Sequence, residues 1–331
     1  MLKTYVISLE YPQKLMESMP ALGLDPVWSP GVDGKKIPTE KYIEHIRPLT
    51  RDLVTPSALG CALAHINTWE KIVENNDPYA LIVEDDVIFI PHFKEKFAEI
   101  FPSTPADYDV LYLGCFGCDS RFSVTSIAAS MVGAVRLDSP EVQINRDIAI
   151  PAVANATHAY IVSNKGARAL LQHIKHDIKF HIDYTMQLLA DNKHIIRYVT
   201  TPRLAFQTST DTTVSTNTGK THPYLLHRAF SSFYVDTHVR GDYGTRLVGL
   251  KLGQFLITGA AAIMAIAGIA AAIARINILY LIIGFTALSI PDFIQQSDAS
   301  SIILHFALFI GPSLLRDLWV SRASLKASRR K

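Results

Sequence analysis

The sequence predicts an α/β protein with a mostly parallel sheet, followed by an α-helical, membrane-associated C-terminal region. Between residues 4 and 199, short runs rich in β-branched and aromatic residues alternate with segments whose apolar residues recur at helical spacing. This alternation is typical of strands and helices that pack in layers, with crossover helices joining parallel strands. From residue 252 onward, long uncharged runs take over and indicate helices in a lipid environment.

Strands and helices of the first 200 residues follow from these runs in chain order. Strands are predicted at residues 4–9, 27–28, 80–83, 87–90, 109–113, 157–163 and 195–199. Helices are predicted at residues 12–21, 56–75, 92–101, 167–174 and 184–190. Asp183 is expected to be the N-cap of the last helix. Ligands of such sheets bind beyond the carboxyl ends of the strands, where Glu84 and Gly114 are placed.

Three consecutive carboxylates, Glu84, Asp85 and Asp86, follow the most apolar of these strands. Adjacent carboxylates repel one another, and their desolvation is costly without a counter-charge. A Mn²⁺ or Mg²⁺ ion would remove this conflict, because hard cations prefer oxygen ligands. Alternation along an extended strand would direct Glu84 and Asp86 toward the ion and Asp85 toward the opposite face. A solvated acidic turn is the alternative.

Charge is distributed unevenly along the 331 residues, whose formal net charge is +2. Residues 316–331 carry a net charge of +5, so the remainder of the chain carries −3. A negatively charged main body argues against nucleic acid as a partner. The sequence also lacks a G-x-G-x-x-G motif and a Walker loop, so a nucleotide diphosphate would have to be held by a metal ion.

Two membrane-spanning helices are predicted in the C-terminal region. Residues 252–274 are 23 uncharged residues, enough to cross a bilayer as a helix, and further apolar runs cover residues 276–290 and 299–315. Arg246 and Lys251 before the first run, and the basic tail after the last, predict that both flanks lie in the cytoplasm. Two spans satisfy this charge distribution, whereas three would not. A bundle of buried helices in a soluble protein is the alternative.

Six short motifs occur in the order seen in one enzyme family. They are YVISL at 5–9, GVDG at 31–34, LGCALAH at 59–65, ALIVEDDV at 80–87, HAYIVSNKGARALL at 158–171 and HIDYTM at 181–186. In these motifs the chain resembles glycosyltransferase family 25, over roughly residues 3–210. That family contains bacterial lipopolysaccharide and lipooligosaccharide galactosyltransferases and their collagen galactosyltransferase relatives.

The resemblance implies a GT-A-like domain that binds a nucleotide sugar, in residues 1–220. An interfacial linker (221–251) and membrane-anchoring helices with a basic tail (252–331) would follow. The implied activity is that of a membrane-associated, inverting glycosyltransferase. It would move a hexose, galactose above all, from a UDP-sugar to a saccharide acceptor such as a lipid-linked or lipopolysaccharide-type glycan. The catalytic domain would face the cytoplasm.

The same resemblance assigns roles to individual residues. Asp86 and Glu84 would bind a Mn²⁺ or Mg²⁺ ion, which neutralises charge that builds on the leaving diphosphate. Glu84, Asp85, His65 and Gly60 would contact the donor nucleotide. Asp85 could do so through a hydrogen bond to the ribose, or it could bind a neighbouring loop instead.

Asp183 is the candidate base that accepts the proton of the acceptor hydroxyl. As a helix N-cap it could also have no chemical role. The chain departs from the family pattern at residues 10–14, where the family has an arginine-rich turn, at Ala58, where it has a glutamate, and at Ala64, where it has a serine. These departures favour the alternative of a catalytically silent membrane scaffold or saccharide-binding module. The retained acids at residues 84–86 favour the enzyme.

Overall fold

The computed structural model divides the chain into two compact units and describes most of the first. The described residues are 1–38, 55–115, 118, 141–152, 154–178, 181–207, 225–226, 234–236, 239–240, 250–252, 255–294 and 299–328. The first unit comprises Met1–Thr210 and Val235–Val239, and the second comprises Asp211–Tyr234 and Arg240–Lys331. Most of the predicted linker at 221–251, and residues 329–331 of the basic tail, lie outside the described residues.

An eight-stranded sheet forms the centre of the first unit. Its strands are β1 (Leu2–Ser8), β2 (Leu24–Pro30), β3 (Tyr79–Glu84), β5 (Val110–Tyr112), β6 (Val142–Gln143), β7 (Ile148–Ile150), β8 (Ala159–Ser163) and β9 (Arg197–Thr200). They lie side by side in the order β2-β1-β3-β8-β5-β9-β7-β6. A separate antiparallel ribbon pairs β4 (Val87–Phe89) with β10 (Ala205–Gln207).

The sheet is mixed, so the prediction of a mostly parallel sheet is only partly correct. β1 is parallel to β2 and β3, and β5 is parallel to β9. β8, however, lies between β3 and β5 and is antiparallel to both, and β7 is antiparallel to its two neighbours. Like β3, β8 is an apolar strand buried on both faces, and such a pattern carries no information on strand direction.

Helices cover both faces of the sheet. They are α1 (Gln13–Ser18), α2 (Pro56–Glu74), α3 (Phe93–Ile100), α4 (Asn164–Ile174) and α5 (Ile182–Asp191). The first core lies between the sheet and α2, α4 and α5, and includes Trp69 and Leu170. The second core lies on the other face, where α1 and α3 contribute Met16, Phe93 and Ile100.

Helix boundaries follow local capping chemistry at α2 but not at α5. The side chain of Thr55 accepts a hydrogen bond from the Ala58 amide, and Pro56 occupies the first turn, so α2 begins where it was predicted. In contrast, α5 begins at Ile182 with His181 as its N-cap. The prediction that Asp183 caps this helix is therefore wrong: Asp183 lies within the first turn, and its carboxylate accepts hydrogen bonds from the Ala156 and Tyr184 amides.

The second unit contains a hairpin and three apolar helices. Its described elements are β13 (Leu250–Leu252), β14 (Phe255–Ile257), α6 (Gly259–Ile273), α7 (Ile278–Ile294) and α8 (Ala299–Ser328). A further two-stranded ribbon pairs β11 (Tyr234–Asp236) with β12 (Val239–Arg240). β13 and β14 are antiparallel.

The predicted 23-residue helix at 252–274 is not one helix. Its first residues belong to the β13–β14 hairpin, and Thr258 caps α6 by accepting a hydrogen bond from the Ala261 amide. The 15 residues of α6 span only about 22 Å, less than the ~30 Å of a bilayer core. Among the described residues one segment, Ala299–Ser324 of α8, is long and apolar enough to cross a membrane. The prediction of two spans is not supported by these helix lengths.

Close contacts hold α6 against α8 within this unit. A Cβ atom added to Gly268 would lie 2.5 Å from the carbonyl oxygens of Leu308 and Phe309, so the two helices touch through backbone. The Arg316 guanidinium donates hydrogen bonds to the carbonyl oxygens of Ala272 and Ile276, at and just beyond the end of α6. Large apolar side chains nevertheless remain exposed on all three helices, among them Ile273, Tyr280, Phe293, Leu315 and Trp319.

Candidate active site

The candidate site lies at one edge of the eight-stranded sheet. β3 is parallel to β1, and β5 runs in the same direction because β3 and β5 are both antiparallel to β8. The carboxyl ends of β1, β3 and β5 therefore meet the amino end of β8 at this edge. Glu84 is the last residue of β3, and Thr157 and His158 immediately precede β8. Gly114 lies two residues after the end of β5, and a Cβ atom added to it would lie 2.6 Å from Nε2 of His158.

Helix α2 places the fully buried His65 against Glu84 through a chain of hydrogen bonds. The indole Nε1 of Trp69 lies 2.9 Å from the hydroxyl oxygen of Tyr160, which lies 2.8 Å from Nδ1 of His65. Nε2 of His65 in turn lies 3.4 Å from Oε1 of Glu84. An indole N–H can only donate, so Tyr160 accepts it and can donate its own proton to Nδ1. His65 then donates Nε2–H to the Glu84 carboxylate, so each donor in this series of hydrogen bonds has an acceptor.

A second donor reaches the same oxygen of Glu84. The Thr157 hydroxyl, itself buried, donates to Oε1 at 2.5 Å. Burial raises the pKa of Glu84, but the hydrogen bonds from His65 and Thr157 outweigh burial and hold that pKa below its usual value. Glu84 is therefore a carboxylate at neutral pH.

Asp85 and Asp86 have different surroundings from Glu84. Nε2 of Gln207, a buried residue of β10, donates to Oδ2 of Asp86 at 2.7 Å. Asp85 instead lines a pocket of about 600 Å³. Partial burial and the negative charge of Glu84 raise the pKa of Asp85. The pocket's other lining residues are Pro12, Gln13, Lys14, Leu15 and Glu17.

The negative charges of Glu84, Asp183 and Asp86 all act on the thiol of Cys61. Burial raises the pKa of this thiol well above its usual value, and the negative charges of these three residues raise it further. Cys61 lies one turn before His65 on α2. The structure thus brings the acidic residues at 84 and 86 within electrostatic range of Asp183, which is about 100 residues further along the chain.

The carboxylate of Asp183 accepts hydrogen bonds from two backbone amides. Its Oδ2 accepts a hydrogen bond from the Ala156 amide at 2.9 Å, and its Oδ1 accepts one from the Tyr184 amide at 2.7 Å. Ala156 has a φ of +73°, a conformation that few side chains adopt, and it directly precedes Thr157. Asp183 therefore fixes the turn that carries the Thr157 hydroxyl.

Gly60 has a steric role in the structure. A Cβ atom added to it would lie 2.1 Å from the carbonyl oxygen of Val32 and 2.7 Å from the amide nitrogen of Gly34. Helix α2 can therefore approach the 31–34 turn closely only because residue 60 lacks a side chain. A contact between Gly60 and a donor nucleotide stays a prediction.

Four residues at the site were not identified from the sequence: Cys61, Thr157, Tyr160 and Gln207. Cys61 and Tyr160 lie inside the motifs at 59–65 and 158–171, where the pattern was interpreted as helix and strand alone. Thr157 precedes the second of these motifs by one residue. Gln207 is 121 residues from Asp86, and no local pattern indicates such a contact.

The residues present fit a divalent cation. The carboxylate oxygens of Glu84 and Asp86 are the hard ligands that Mn²⁺ and Mg²⁺ prefer. Glu84 is ionised and its position is fixed by two hydrogen bonds. The ligand atoms of Cys61, His65 and Glu84 also lie within 4.8 Å of one another, which adds a sulfur and a nitrogen to the oxygen donors of the site.

The first 186 residues are similar in sequence to known glycosyltransferases. Residues 1–186 match the pattern of glycosyltransferase family 25, described as an LPS biosynthesis protein family. A glycosyltransferase 25 family member of Aedes aegypti is 31% identical over 124 residues, which cover 33% of this chain and 20% of that protein. Procollagen galactosyltransferase 1-A of Xenopus laevis is 27% identical over 172 residues, which cover 50% of this chain and 24% of that protein.

These relatives are much longer than the matched region. Human procollagen galactosyltransferase 2 is 31% identical over 71 residues, which cover 20% of this chain and 10% of that protein. The chain spans about a fifth of the length of the first relatives it matches. The family pattern itself covers more than half of the chain and includes Glu84, Asp86 and Asp183. The chain belongs to glycosyltransferase family 25.

Proposed function

We propose that the chain is a membrane-associated, inverting glycosyltransferase with a GT-A-like catalytic domain. It transfers a hexose, galactose in the first instance, from a UDP-sugar to a saccharide acceptor such as a lipid-linked or lipopolysaccharide-type glycan. The observation that carries this proposal is the ionised Glu84, held by His65 and Thr157 at the carboxyl end of β3. The matched relatives named procollagen galactosyltransferases support galactose as the hexose.

Glu84 and Asp86 would together hold a Mn²⁺ or Mg²⁺ ion. When bound, such an ion supplies positive charge to the diphosphate of the leaving nucleotide. His65 and Thr157 orient Glu84, and Gln207 orients Asp86. Fixing the two carboxylates in advance lowers the cost of ordering them when the donor binds.

The 600 Å³ pocket beside Asp85 is the proposed donor site. A volume of this size suits a small-molecule ligand. Asp85 would accept a hydrogen bond from the ribose, and Lys14 would supply a positive charge to the pocket. Tyr11, next to the pocket residue Pro12 and 55% exposed, offers an aromatic face to the uracil ring.

Asp183 is the proposed base. Each of its carboxylate oxygens accepts one backbone amide proton and retains a lone pair that can accept a proton from the acceptor hydroxyl. Its charge acts on the same thiol as the charges of Glu84 and Asp86, which supports a role for Asp183 at this site. The two amide hydrogen bonds would hold the carboxylate in one orientation during proton transfer.

Membrane association is proposed from the second unit. Exposed apolar side chains such as Ile273 and Trp319 would be covered by lipid. Among the described residues, Ala299–Ser324 of α8 has the length and hydropathy of a membrane-spanning helix. The flanking charges described above would keep the catalytic domain on the cytoplasmic side.

A catalytically silent scaffold or saccharide-binding module is the second candidate. It rested on Ala58, on Ala64 and on the absence of arginines at residues 10–14, where Lys14 is the one basic residue. Both alanines are buried in the core formed by α2. Neither alanine therefore leaves a gap at the carboxylates, and the enzyme remains the better supported function.

Calorimetric titration of UDP into the purified protein tests the proposal. We expect binding in the presence of Mn²⁺ and its loss in excess EDTA. Asp86→Asn retains an oxygen that can accept the hydrogen bond from Gln207 but removes the charge, and it should weaken binding at least about 10-fold. Asp25→Asn is the control, because Asp25 is an exposed carboxylate near the amino end of β2. Equal binding of UDP by wild type in Mn²⁺ and in EDTA would contradict the proposal.

A further inference from the structure

We propose that Cys61, His65 and Glu84 form a binding site for a divalent cation of the zinc class. The site is distinct from the carboxylate pair of Glu84 and Asp86 in its donor set, which combines sulfur, nitrogen and oxygen. It shares one residue, Glu84, with that pair. Binding at this site can be measured without any nucleotide sugar and does not depend on the proposed transfer reaction.

Geometry is the first support. Cys61 and His65 are four residues apart on α2, so their side chains project from the same face of the helix toward Glu84 at the end of β3. The three ligand atoms lie within 4.8 Å of one another. In a tetrahedral zinc site with bonds of about 2.0–2.3 Å, ligand atoms are about 3.5 Å apart. Closure by about an ångström, within the reach of side-chain rotation, would bring the three atoms to tetrahedral spacing, and a water molecule would be the fourth ligand.

The surroundings of His65 are the second support. Histidine ligands of metals usually bind the ion through one ring nitrogen while the other is held by a hydrogen bond. Nδ1 of His65 lies 2.8 Å from the Tyr160 hydroxyl, and Trp69 holds that hydroxyl in place. Nε2 is thereby directed toward Glu84, at 3.4 Å. Metal binding at Nε2 requires the other tautomer of His65: the proton on Nε2 is exchanged for one on Nδ1, and Nδ1–H then donates to the Tyr160 hydroxyl oxygen.

Charge and access are the third support. The charges of Glu84, Asp86 and Asp183 all act on the Cys61 sulfur, so the potential at this point attracts cations. Cys61 is a free, partly exposed cysteine, while His65 is fully buried. An ion can therefore enter from the side of Cys61. Sulfur and imidazole ligands favour Zn²⁺ and similar ions over Mn²⁺ and Mg²⁺, which prefer oxygen.

Sharing of Glu84 has one consequence, which rests on the proposed function. An ion at Cys61 and His65 withdraws the Glu84 carboxylate from the position shared with Asp86. Zn²⁺ would therefore compete with the Mn²⁺-dependent reaction. If bound Zn²⁺ does not inhibit the reaction, Glu84 does not hold the ion that the reaction uses. If Zn²⁺ does not bind at all, which is tested next, the proposed site itself is wrong.

Titration of the metal-free, phosphine-reduced protein with Co²⁺ tests the site directly. Cobalt coordinated by a thiolate shows a near-ultraviolet sulfur-to-metal charge-transfer band, which carboxylate ligands alone do not give. We expect this band in wild type, its displacement by Zn²⁺, and its loss in Cys61→Ser with at least about 10-fold weaker Zn²⁺ binding. The controls are Cys118→Ser, at a buried cysteine outside the cluster, and Asp25→Asn, at an exposed carboxylate of β2; both should keep the band.

A second measurement avoids dependence on the folding of any variant. In the wild-type protein, Zn²⁺ should slow alkylation of Cys61 at least about 10-fold, as read by mass spectrometry of the peptide that contains it, and EDTA should restore the rate. Absence of the band in wild type, its persistence in Cys61→Ser or its loss in either control would overturn the proposal. Alkylation of Cys61 that is insensitive to Zn²⁺ would do the same.

Discussion

Glu84 accepts hydrogen bonds from two side chains that come from different elements of the fold. One of its carboxylate oxygens meets both His65 and Thr157, which come from α2 and from the turn before β8. The sequence indicated that a carboxylate at this place needs compensation, because it ends an apolar strand. It could not identify the compensating groups, since Thr157 is 73 residues away and reaches Glu84 only through the pairing of β8 with β3.

Replacing Thr157 with valine should destabilise the protein. The substitution keeps the shape of the side chain and removes the donor to Glu84, and loss of a hydrogen bond to a buried charge costs about 1.5–3 kcal/mol. Thr185→Val is the matched control: Thr185 is equally buried, but its hydroxyl donates to the neutral carbonyl of His181, so we expect a smaller loss of about 1 kcal/mol. Urea unfolding at pH 7 measures both differences.

The same pair of variants has a predicted pH dependence. The pKa of Glu84 is lowered in the folded state, so its contribution to stability is present above its ordinary value of 4.5 and is lost as the pH falls below it. The deficit of Thr157→Val should therefore shrink in acid, whereas that of Thr185→Val should not change. Equal deficits in the two variants at pH 7 would contradict the assigned role of Thr157.

Asp183→Asn distinguishes a base from a structural group. Asparagine retains one oxygen that can accept the Ala156 amide proton but cannot take a proton from an acceptor hydroxyl. Turnover should fall about 100-fold or more, with little change in UDP affinity. A variant that keeps wild-type turnover would leave Asp183 as only a support for the turn at Ala156.

Helix α2 is the element that assembles the site, since it carries Cys61 and His65 and packs on the 31–34 turn. Its position along the chain was predicted well, because Pro56 marks its start and its apolar residues keep helical spacing. Other elements were predicted less well. Strand β8 runs antiparallel, and the apolar residues before Gly259 form a hairpin, because uniformly apolar segments do not specify strand direction or a strand–helix boundary.

Gly60→Ala should loosen the contact between α2 and the 31–34 turn. The new methyl group would lie 2.1 Å from the Val32 carbonyl oxygen, so backbone must move, and we expect a loss of about 1–3 kcal/mol in the free energy of unfolding. Gly284→Ala in α7 is the control, because an added Cβ atom there meets nothing within 4 Å. The control should gain up to about 1 kcal/mol from helix propensity. Urea unfolding in detergent compares the two, and an unchanged stability of Gly60→Ala would refute the steric role.

On the scale of the whole molecule, the sequence predicted the order of a catalytic region and an apolar C-terminal region. Family 25 membership of residues 1–186 is consistent with the motifs from which the resemblance was inferred. The number of membrane spans was not predictable in the same way. Hydropathy alone counted residues 252–274 as one span, although a hairpin takes up its first residues and α6 is too short by itself.

Alkaline carbonate extraction tests the membrane proposal for the full chain. We expect the full-length protein to stay in the membrane pellet, because exposed apolar side chains on α6, α7 and α8 would be in contact with lipid. A protein truncated after Lys220 is the comparison and should be released while still binding UDP. Recovery of the full-length protein in the carbonate supernatant would remove the membrane claim.

Transfer from UDP-galactose to a saccharide acceptor, measured as release of UDP by the full-length protein, tests the central claim most directly. The account predicts release that requires Mn²⁺ or Mg²⁺, stops in excess EDTA and falls about 100-fold or more in Asp86→Asn, while Asp25→Asn matches wild type. Equal rates with and without EDTA, or full activity of Asp86→Asn, would contradict a cation-dependent reaction at Glu84 and Asp86.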